Sequence, residues 1–303
     1  MTVLKPSDVL TNQEREELLR RSDVIALAML VTTWVSIFAL LALAGFYTHP
    51  LTILLVWLVL PGRQLSLSVL MHEAGHGSLF RTRALNLWLG QWLCALPTLG
   101  DLHSYARGHQ AHHRLAGTRD DPDLPNYQSY PISGASLRRK LWRDLSGQTG
   151  LKLISALLSG AASGLSKETH GSALLVVKQV VVQLCIAGVL WLMGIGWTWF
   201  LWMGTFLTSY MWVVRLRQVG EHAVVPDLYD PDVRQNTRTV DAPWWQRFLV
   251  APNNVNYHME HHFMAGVPCY RLPALRKALF SKGFLASTPK TSGYVQVLRE
   301  ALA

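Results

Sequence analysis

Two histidines four positions apart, with a glutamate beside the first, follow a strongly apolar stretch of the chain. The segment is His72-Glu73-Ala74-Gly75-His76. In isolation it matches H-E-x-x-H, the pattern with which a zinc protease helix supplies two imidazole ligands and a glutamate base. Such a protease also needs a third protein ligand and a water that the glutamate poises. The pattern by itself leaves two interpretations open, a protease zinc site and one part of a larger metal centre.

Seven further histidines are grouped in a similar way, three in each of two H-x-x-H-H stretches and one after the last long apolar stretch. They are His109, His112, His113, His222, His258, His261 and His262. Because positions i, i+3 and i+4 share one helix face, we expect each stretch to present its imidazoles toward one point. Nine imidazoles are too many for one ion and suit two, each with a position left for oxygen or water. Imidazole binds Zn, Cu, Fe and Ni, so the ligand type leaves the metal open.

This larger set of histidines argues against the protease interpretation, which uses only His72 and His76 and leaves the other seven without a role. In a larger metal centre Glu73 would accept a hydrogen bond from an imidazole N–H, a partner that metal-bound histidines commonly have. Glu221 and Glu260 each directly precede a candidate ligand and are candidates for the same role; the alternative is that both are solvated carboxylates. Three isolated histidines are interpreted as surface or hydrogen-bonded residues: His49, His103 and His170.

The apolar residues are distributed as in an integral membrane protein. Half of the 303 residues are hydrophobic, 16% are charged, and twelve are tryptophans, which often mark the interfaces of a bilayer. Four apolar stretches are long enough to cross about 30 Å of hydrocarbon, and tight turns pair them into two hairpins. The predicted spans cover residues 24–46, 51–71, 173–194 and 198–214, and the second is interrupted at Pro61-Gly62-Arg63.

The distribution of lysine and arginine predicts the orientation of these spans. All 28 basic residues except Arg63 and Lys178 lie in the N-terminal segment, the 72–172 loop or the segment after Val214. By the positive-inside rule these three segments are cytoplasmic, which places both termini and all nine grouped histidines on the cytoplasmic side. In a bacterium the membrane would be the inner membrane.

The remaining segments are predicted to belong to one membrane domain over residues 24–285. A helix over 1–23 precedes it and a tail over 286–303 follows it. Two apolar stretches, 87–99 and 151–165, are too short to cross comfortably and are predicted to be re-entrant or interfacial helices. The net charge of +9 suits an anionic membrane surface, and we do not expect nucleic acid as a partner.

The histidine stretches and their flanking residues resemble those of the membrane-bound fatty acid desaturase family, within the histidine-box superfamily of di-iron desaturases and hydroxylases. The likeness rests on "HEAGH", "HQAHH" and "NYHMEHH" at these intervals between two predicted hairpins, and it covers about residues 25–285. "HHRLAGTRDDPDLPNY" is similar to the family's H-H-x-x-T-x-x-x-D-P-D segment, whereas Phe263 to Pro268 departs from the usual Leu-Phe-Pro. "RQVGEH" is similar to the element that supplies one further histidine, His222, and a polar residue that holds a metal-bound water. That position is Gln218 here, where asparagine is usual.

The resemblance implies an all-α integral membrane protein with four transmembrane helices as two hairpins, under a cytoplasmic helical cap that holds a histidine-rich di-metal site. It implies two non-haem iron ions and O2 as cofactors, and a narrow apolar tunnel for the acyl chain. The implied iron ligands are His72, His76, His109, His112, His113, His222, His258, His261 and His262. The implied activity is O2-dependent desaturation of a fatty acid or acyl lipid, with no catalytic residues beyond these ligands. A redox metal is expected in any case, because general acid–base groups cannot break an unactivated methylene C–H bond.

The electrons are expected from a separate carrier, a ferredoxin or a cytochrome b5-like protein with its reductase. The chain contains no H-P-G-G motif, no G-x-G-x-x-G motif and no set of iron–sulfur cysteines. The basic segment 137–143, "LRRKLWR", could dock an acidic carrier or anionic lipid head groups, or simply hold the loop at the membrane surface.

Other functions stay open at this point. Hydroxylation or ketolation of an alkyl chain or a carotenoid ring needs only a small change in geometry, and the histidine stretches do not distinguish it from desaturation. The H-E-x-x-H intramembrane zinc protease is a more remote alternative. A histidine-rich metal transporter or sensor is another, but it predicts polar residues along a path through the spans, and the predicted spans contain few.

Overall fold

The computed structural model describes residues 3–162 and 173–303, and within these ranges the regular structure is helical, with isolated β-bridges only. The α-helices are α1 (Pro6–Val9), α2 (Asn12–Leu18), α3 (Asp23–Phe46), α4 (Pro50–Gly75), α5 (Arg83–Leu89), α6 (Leu102–Leu115), α7 (Gly134–Leu145), α8 (Gln148–Ala162), α9 (Ala173–Leu192), α10 (Thr198–Leu207), α11 (Ser209–His222), α12 (Val233–Asn236), α13 (Trp244–Val250), α14 (His258–Phe263), α15 (Leu272–Ser281) and α16 (Tyr294–Glu300). The all-α prediction is confirmed for the described part of the chain.

Three helices in the described ranges are long and apolar enough to cross a membrane. These candidate spans are Asn12–Phe46, Pro50–Gly75 and Ala173–Leu192. Their outward side chains leave large apolar areas exposed: Val24 is 79% accessible and Leu192 also 79%. Exposed apolar surface of this extent marks a surface that contacts lipid rather than water. The chain is therefore a membrane protein.

The fourth predicted span, residues 198–214, is not confirmed as one continuous helix. The structure divides it at Thr208 into α10 and α11, because Thr208 has non-helical backbone angles, φ −119° and ψ −93°. The Thr208 hydroxyl donates a hydrogen bond to the Gly204 carbonyl at 2.6 Å and accepts one from the Trp57 indole at 3.0 Å. These hydrogen bonds replace part of the backbone hydrogen bonding that the helix loses at the break. Beyond the break, α11 continues to His222 and so delivers that histidine to the others.

The predicted interruption of the second span at Pro61-Gly62-Arg63 is wrong, because α4 runs through all three residues. A proline inside a membrane helix is tolerated where neighbouring elements satisfy the freed backbone groups. Here α13 packs closely on this segment: a Cβ added at Gly62 would lie 2.6 Å from the Leu249 carbonyl oxygen. The Arg63 guanidinium donates to the Phe248 carbonyl and lies 3.9 Å from the centre of the Phe248 ring. The three residues form a contact surface for α13.

The two short apolar stretches are helical, and their predicted re-entrant or interfacial placement stays a prediction. Residues 87–99 form the end of α5, a π-helical turn over Gly90–Ala95 and a 3-10 turn over Leu96–Thr98. This segment is buried against α4, where a Cβ added at Gly90 would lie 2.6 Å from the Ala74 Cβ. Residues 151–162 belong to α8, and residues 163–165 of the second stretch lie outside the described ranges.

Both terminal segments pack on the body of the protein. In the N-terminal segment, Leu10 and Leu18 are buried in an apolar cluster with α14 and α15. In the C-terminal segment predicted as a tail, α16 buries Val297 completely. The side chain of Glu300 accepts a hydrogen bond from Arg238 Nη1 at 2.5 Å, which anchors α16 beside the chain that follows α11.

Candidate metal centre

The structure brings all nine grouped histidines together at the ends of four helices. His72 lies in the last turn of α4 and His76 caps that helix, while His222 ends α11. The others lie on α6 and α14. They form two groups, and within each group the candidate ligand nitrogens lie within 4.8 Å of one another. The first group is His72, His76, His109, His113 and His261; the second is His112, His222, His258 and His262.

Each H-x-x-H-H stretch is divided between the two groups, which corrects the expectation that it points toward one site. On α6, the i and i+4 residues His109 and His113 join the first group while His112 joins the second. On α14 the assignment is reversed, since His258 and His262 join the second group and His261 joins the first. Consecutive helical residues differ in direction by about 100°, so the last two histidines of each stretch diverge. One stretch on each helix thus serves both groups.

The inner nitrogens of each group approach one another closely. In the first group, His113 Nε2 lies 3.0 Å from both His109 Nε2 and His261 Nε2. In the second group, His222 Nε2 lies 3.2 Å from His112 Nε2 and 2.8 Å from His258 Nε2.

The hydrogen bonds of the outer ring nitrogens of His112 and His222 determine whether their inner nitrogens are protonated. His112 Nδ1 donates to the Asp121 carboxylate at 2.8 Å, and His222 Nδ1 donates to the Asn236 carbonyl oxygen at 3.3 Å. Since a carboxylate and a carbonyl are acceptors, each Nδ1 carries the proton of its neutral ring, and each Nε2 presents a lone pair. Two lone pairs 3.2 Å apart repel each other unless a cation lies between them. The donor set of this group therefore fits a metal ion that prefers imidazole.

Burial keeps the histidines in the neutral form that binds metals. It lowers the pKa of His113 to about 2 and that of His222 to about 3, and neighbouring histidines add to both shifts. Burial, followed by the proximity of other imidazoles, also holds the pKa of His109 and of His261 well below the usual value for histidine. A deprotonated ring nitrogen is required for coordination, so these shifts favour a metal site at neutral pH.

Comparison with known proteins agrees with this geometry. The profile of the fatty acid desaturase family matches residues 48–285. The chain belongs to the fatty acid desaturase family. As a member of this family, the protein is an oxidoreductase.

Three curated relatives show the range of chemistry in the family. An sn-1 oleoyl-lipid 12-desaturase of Picosynechococcus sp. is 27% identical over 271 residues, which cover 83% of this chain and 74% of the relative. An sn-1 acyl-lipid omega-3 desaturase (ferredoxin) of Synechocystis sp. is 31% identical over 86 residues, 28% of this chain and 23% of the relative. A beta-carotene ketolase of Paracoccus sp. is 28% identical over 233 residues, 75% of this chain and 81% of the relative.

In this family member, both carboxylate oxygens of Glu73 have polar partners beside the first group. Its carboxylate lies 3.1 Å from His72 Nδ1 and accepts hydrogen bonds from the Ser78 hydroxyl at 2.9 Å and the Cys269 amide at 2.8 Å. Such a carboxylate fixes the orientation of an imidazole. A protease base would have to be free to poise a water, and Glu73 is not.

The other two glutamates differ from each other. Glu221 Oε1 lies 3.5 Å from His258 Nδ1 and 3.3 Å from Arg217 Nη1, and burial raises the pKa of Glu221 to about 7. Glu260 does not face an imidazole: it accepts hydrogen bonds from Thr239 and, at 2.6 Å, from Arg276 Nη1. Glu221 is thus placed to orient a histidine, whereas Glu260 fastens α14 to α15.

Gln218 lines a cavity of about 160 Å³ that both histidine groups border. The other lining residues include Tyr105, the first-group residues His72 and His109, and the second-group residues His112, His222 and His258. The cavity has room for a few water molecules, and its walls offer polar partners for them.

Several residues around the second group were not assigned a role from the sequence. Asp121 accepts a hydrogen bond from His112 Nδ1 and another from the Tyr127 hydroxyl. Burial alone would raise the pKa of Asp121, but these two hydrogen bonds outweigh it and lower the pKa. The Tyr127 ring also stacks on His222 with 4.8 Å between ring centres. The D-P-D segment was the available sequence signal for Asp121, whereas the Asn236 contact uses a backbone carbonyl and has none.

Proposed function

We propose that this chain catalyses O2-dependent desaturation of an acyl chain, with one iron ion held by each histidine group. The observation that carries the proposal is the pair of neutral rings, His112 and His222, whose lone pairs face each other across 3.2 Å. Nine convergent imidazoles, sorted five and four, suit two ions of a metal that accepts nitrogen ligands. The names of the lipid desaturase relatives support an acyl substrate.

The residues present define what each group would contribute. Two iron ions bound there would supply the redox chemistry with O2 that removes hydrogen from an unactivated C–H bond. The first group offers five imidazoles and the second four, so the second leaves more room for a non-protein ligand. Gln218 lines the cavity that both groups border, and its amide would hold a water there. Asp121, Asn236 and Glu221 would hold the second-group rings in orientation.

Substrate and electrons would reach the centre from outside the chain. An acyl chain would be held so that one methylene lies close to the histidine groups, since proximity and orientation determine which bond reacts. The electron donor would be an external carrier, a ferredoxin or a cytochrome b5-like protein with its reductase. We further propose that both termini and the histidine groups lie on the cytoplasmic side, in keeping with the distribution of basic residues.

The test combines metal analysis with product analysis on the purified protein and on His261→Ala. Wild type should contain iron and should convert a lipid substrate to a product lighter by two hydrogens. His261→Ala should lose activity together with the iron of the first group, because its ring belongs to that group and lies against His113. The matched control is His103→Ala, an exposed histidine on the same α6 helix that carries three of the candidate ligands. Full activity in His261→Ala would contradict the proposal.

Ketolation or hydroxylation is a second candidate, favoured by the match to a beta-carotene ketolase over 81% of that relative. The same product analysis separates the two, since oxygenation adds one oxygen atom to the substrate. Zinc in place of iron would instead revive the protease or metal-transport interpretations.

A further inference from the structure

A basic pocket lies where α3 begins and α4 ends. The pocket has a volume of about 330 Å³, and Arg21, Arg81 and Arg83 line it together with the amide of Asn86. In the described part of the chain no carboxylate lines it. All three arginines are exposed, so their charge is available to a ligand.

The loop that bears two of these arginines is fixed to the start of α3. The Thr82 amide and hydroxyl donate to the Asp23 carboxylate at 3.0 and 2.7 Å. Because Asp23 is the first residue of α3, these bonds hold Arg81 and Arg83 close to Arg21, two residues before the helix. The arginines are therefore a preorganised cluster at the N-terminal end of α3, the end at which a membrane surface would lie.

An apolar groove of about 500 Å³ begins one turn further along the same helix. One wall is α3 from Leu27 to Ala42, and the other includes Leu89 and Leu93. Leu27 and Ala42 are fifteen residues apart, which corresponds to about 22 Å along the helix axis. This length exceeds the ~15 Å depth of one leaflet. The groove is thus long enough for a whole acyl chain.

The basic pocket and the groove lie along the same face of α3. Asp23, which holds the segment that carries Arg81 and Arg83, and Leu27, at the start of the groove, are four residues apart and so share one helix face. We propose that the pocket and the groove form one binding site for an anionic phospholipid. Its phosphate contacts Arg21, Arg81 and Arg83, and one acyl chain lies along α3.

This lipid is not placed as a substrate. His76 lies at the same end of the α3–α4 hairpin as the arginines and lines the basic pocket. The groove leads away from that end toward Met193, so the acyl chain extends away from the histidine groups. The lipid is an accessory ligand that anchors the start of α3 and the Arg81–Arg83 loop, and its binding is independent of the proposed function.

The test measures lipid retention by the full-length protein in detergent, by native mass spectrometry, without O2 or an electron donor. Wild type should retain phosphatidylglycerol in preference to phosphatidylcholine. The Arg81→Gln/Arg83→Gln variant should bind phosphatidylglycerol about 30-fold more weakly, since two cationic side chains near the head group are lost. The matched control, Lys277→Gln/Arg299→Gln, removes two exposed cationic side chains from α15 and α16 and should bind like wild type.

A second readout locates the acyl chain. Trp34 lines the groove, with its indole N–H donating to the Leu93 carbonyl at 3.1 Å. Phosphatidylglycerol with brominated acyl chains should quench tryptophan fluorescence in wild type, and the quenching should diminish in Trp34→Phe. Equal retention of both lipids, equal loss in the Lys277→Gln/Arg299→Gln control, or displacement of the lipid by inorganic phosphate alone would overturn the proposal. Capture of an acidic protein at the arginines with no preference for anionic lipid would also overturn it.

Discussion

The two histidine groups differ in how firmly the protein holds their rings. In the second group, Asp121 and the Asn236 carbonyl each accept a hydrogen bond from an outer ring nitrogen, and Glu221 Oε1 lies 3.5 Å from His258 Nδ1 without a hydrogen bond. In the first group, Glu73 contacts His72, while the outer nitrogen of the buried His261 has no hydrogen-bond partner. The first group has five imidazoles and one such hydrogen-bonded partner, and the second has four imidazoles and two.

This difference indicates a division of labour between the groups. A site with five ring nitrogens around it fixes an ion by the number of its ligands. A site with four needs oriented ligands if it is to keep a position free for a water or another small ligand. The second group is thus the better candidate for the exchangeable position.

The largest effect is expected from removing one ligand of each group separately. His113→Ala removes a first-group ring that lies 3.0 Å from two others, and His258→Ala removes a second-group ring. Each variant should lose activity at least about a hundredfold, because loss of a ligand exceeds the effect of losing an outer partner. Iron content, measured by elemental analysis, should fall from two ions per chain toward one. If both variants kept two ions, the division into groups would be refuted.

Removing the metal is expected to destabilise the protein. The facing lone pairs of His112 and His222 in the second group would then repel each other, so chelation should lower the melting temperature and added Fe²⁺ should restore it. Differential scanning fluorimetry in detergent measures this. His258→Ala should show a smaller response to chelation than wild type. A melting temperature that chelator does not change would argue against metal at either group.

Removing a residue that bonds to an outer ring nitrogen should have an intermediate effect on iron affinity, confined to the second group. Asp121→Asn replaces the carboxylate that holds His112, so it should weaken one of two iron affinities by about 10- to 100-fold. Competition with a chelator during metal release measures the two affinities. Asp120→Asn is the control, since Asp120 is exposed in the same turn. Equal weakening of both ions would show that the groups do not act separately.

A smaller effect is expected at Gln218, which lines the cavity that both groups border. Gln218→Ala should lower turnover about tenfold and leave the iron content unchanged, because a bound water is lost rather than a protein ligand. Gln218→Asn should retain more activity than the alanine variant, since it keeps the amide. Loss of iron in Gln218→Ala would instead make the residue part of the ligand set.

The smallest effect on iron is expected at Glu260, which bonds to Arg276 and Thr239 instead of an imidazole. Glu260→Gln should destabilise the fold by about 1–3 kcal/mol, the range for a weakened buried charged hydrogen bond. Its iron content should match wild type, whereas Glu221→Gln should release iron more readily from the second group. Identical iron release in the two glutamine variants would remove the distinction between these glutamates.

Local spacing in the sequence was sufficient to find the histidines but not their grouping. Helical spacing brought His109, His112 and His113 to neighbouring positions, as expected. How they divide between two groups depends on the rotation of α6 and α14 about their axes, and tertiary packing sets that rotation. Glu221 and Glu260 have the same local pattern, a carboxylate directly before a histidine, but only Glu221 lies near a ring nitrogen.

The apolar helices were predictable to a similar degree. Length and hydropathy located three helices that can cross a membrane. They did not reveal the break at Thr208, because the hydrogen bonds that stabilise it involve Trp57, about 150 residues earlier in the chain. Nor did they show that α4 continues through Pro61, which depends on close packing with α13.

The most direct test of the central claim is the metal content of the purified wild-type protein after anaerobic loading with Fe²⁺ and removal of unbound ions. Two histidine groups predict two iron ions per chain, with zinc unable to support turnover. A single tightly bound ion, or zinc with full activity, would contradict the claim that these nine imidazoles hold a pair of irons.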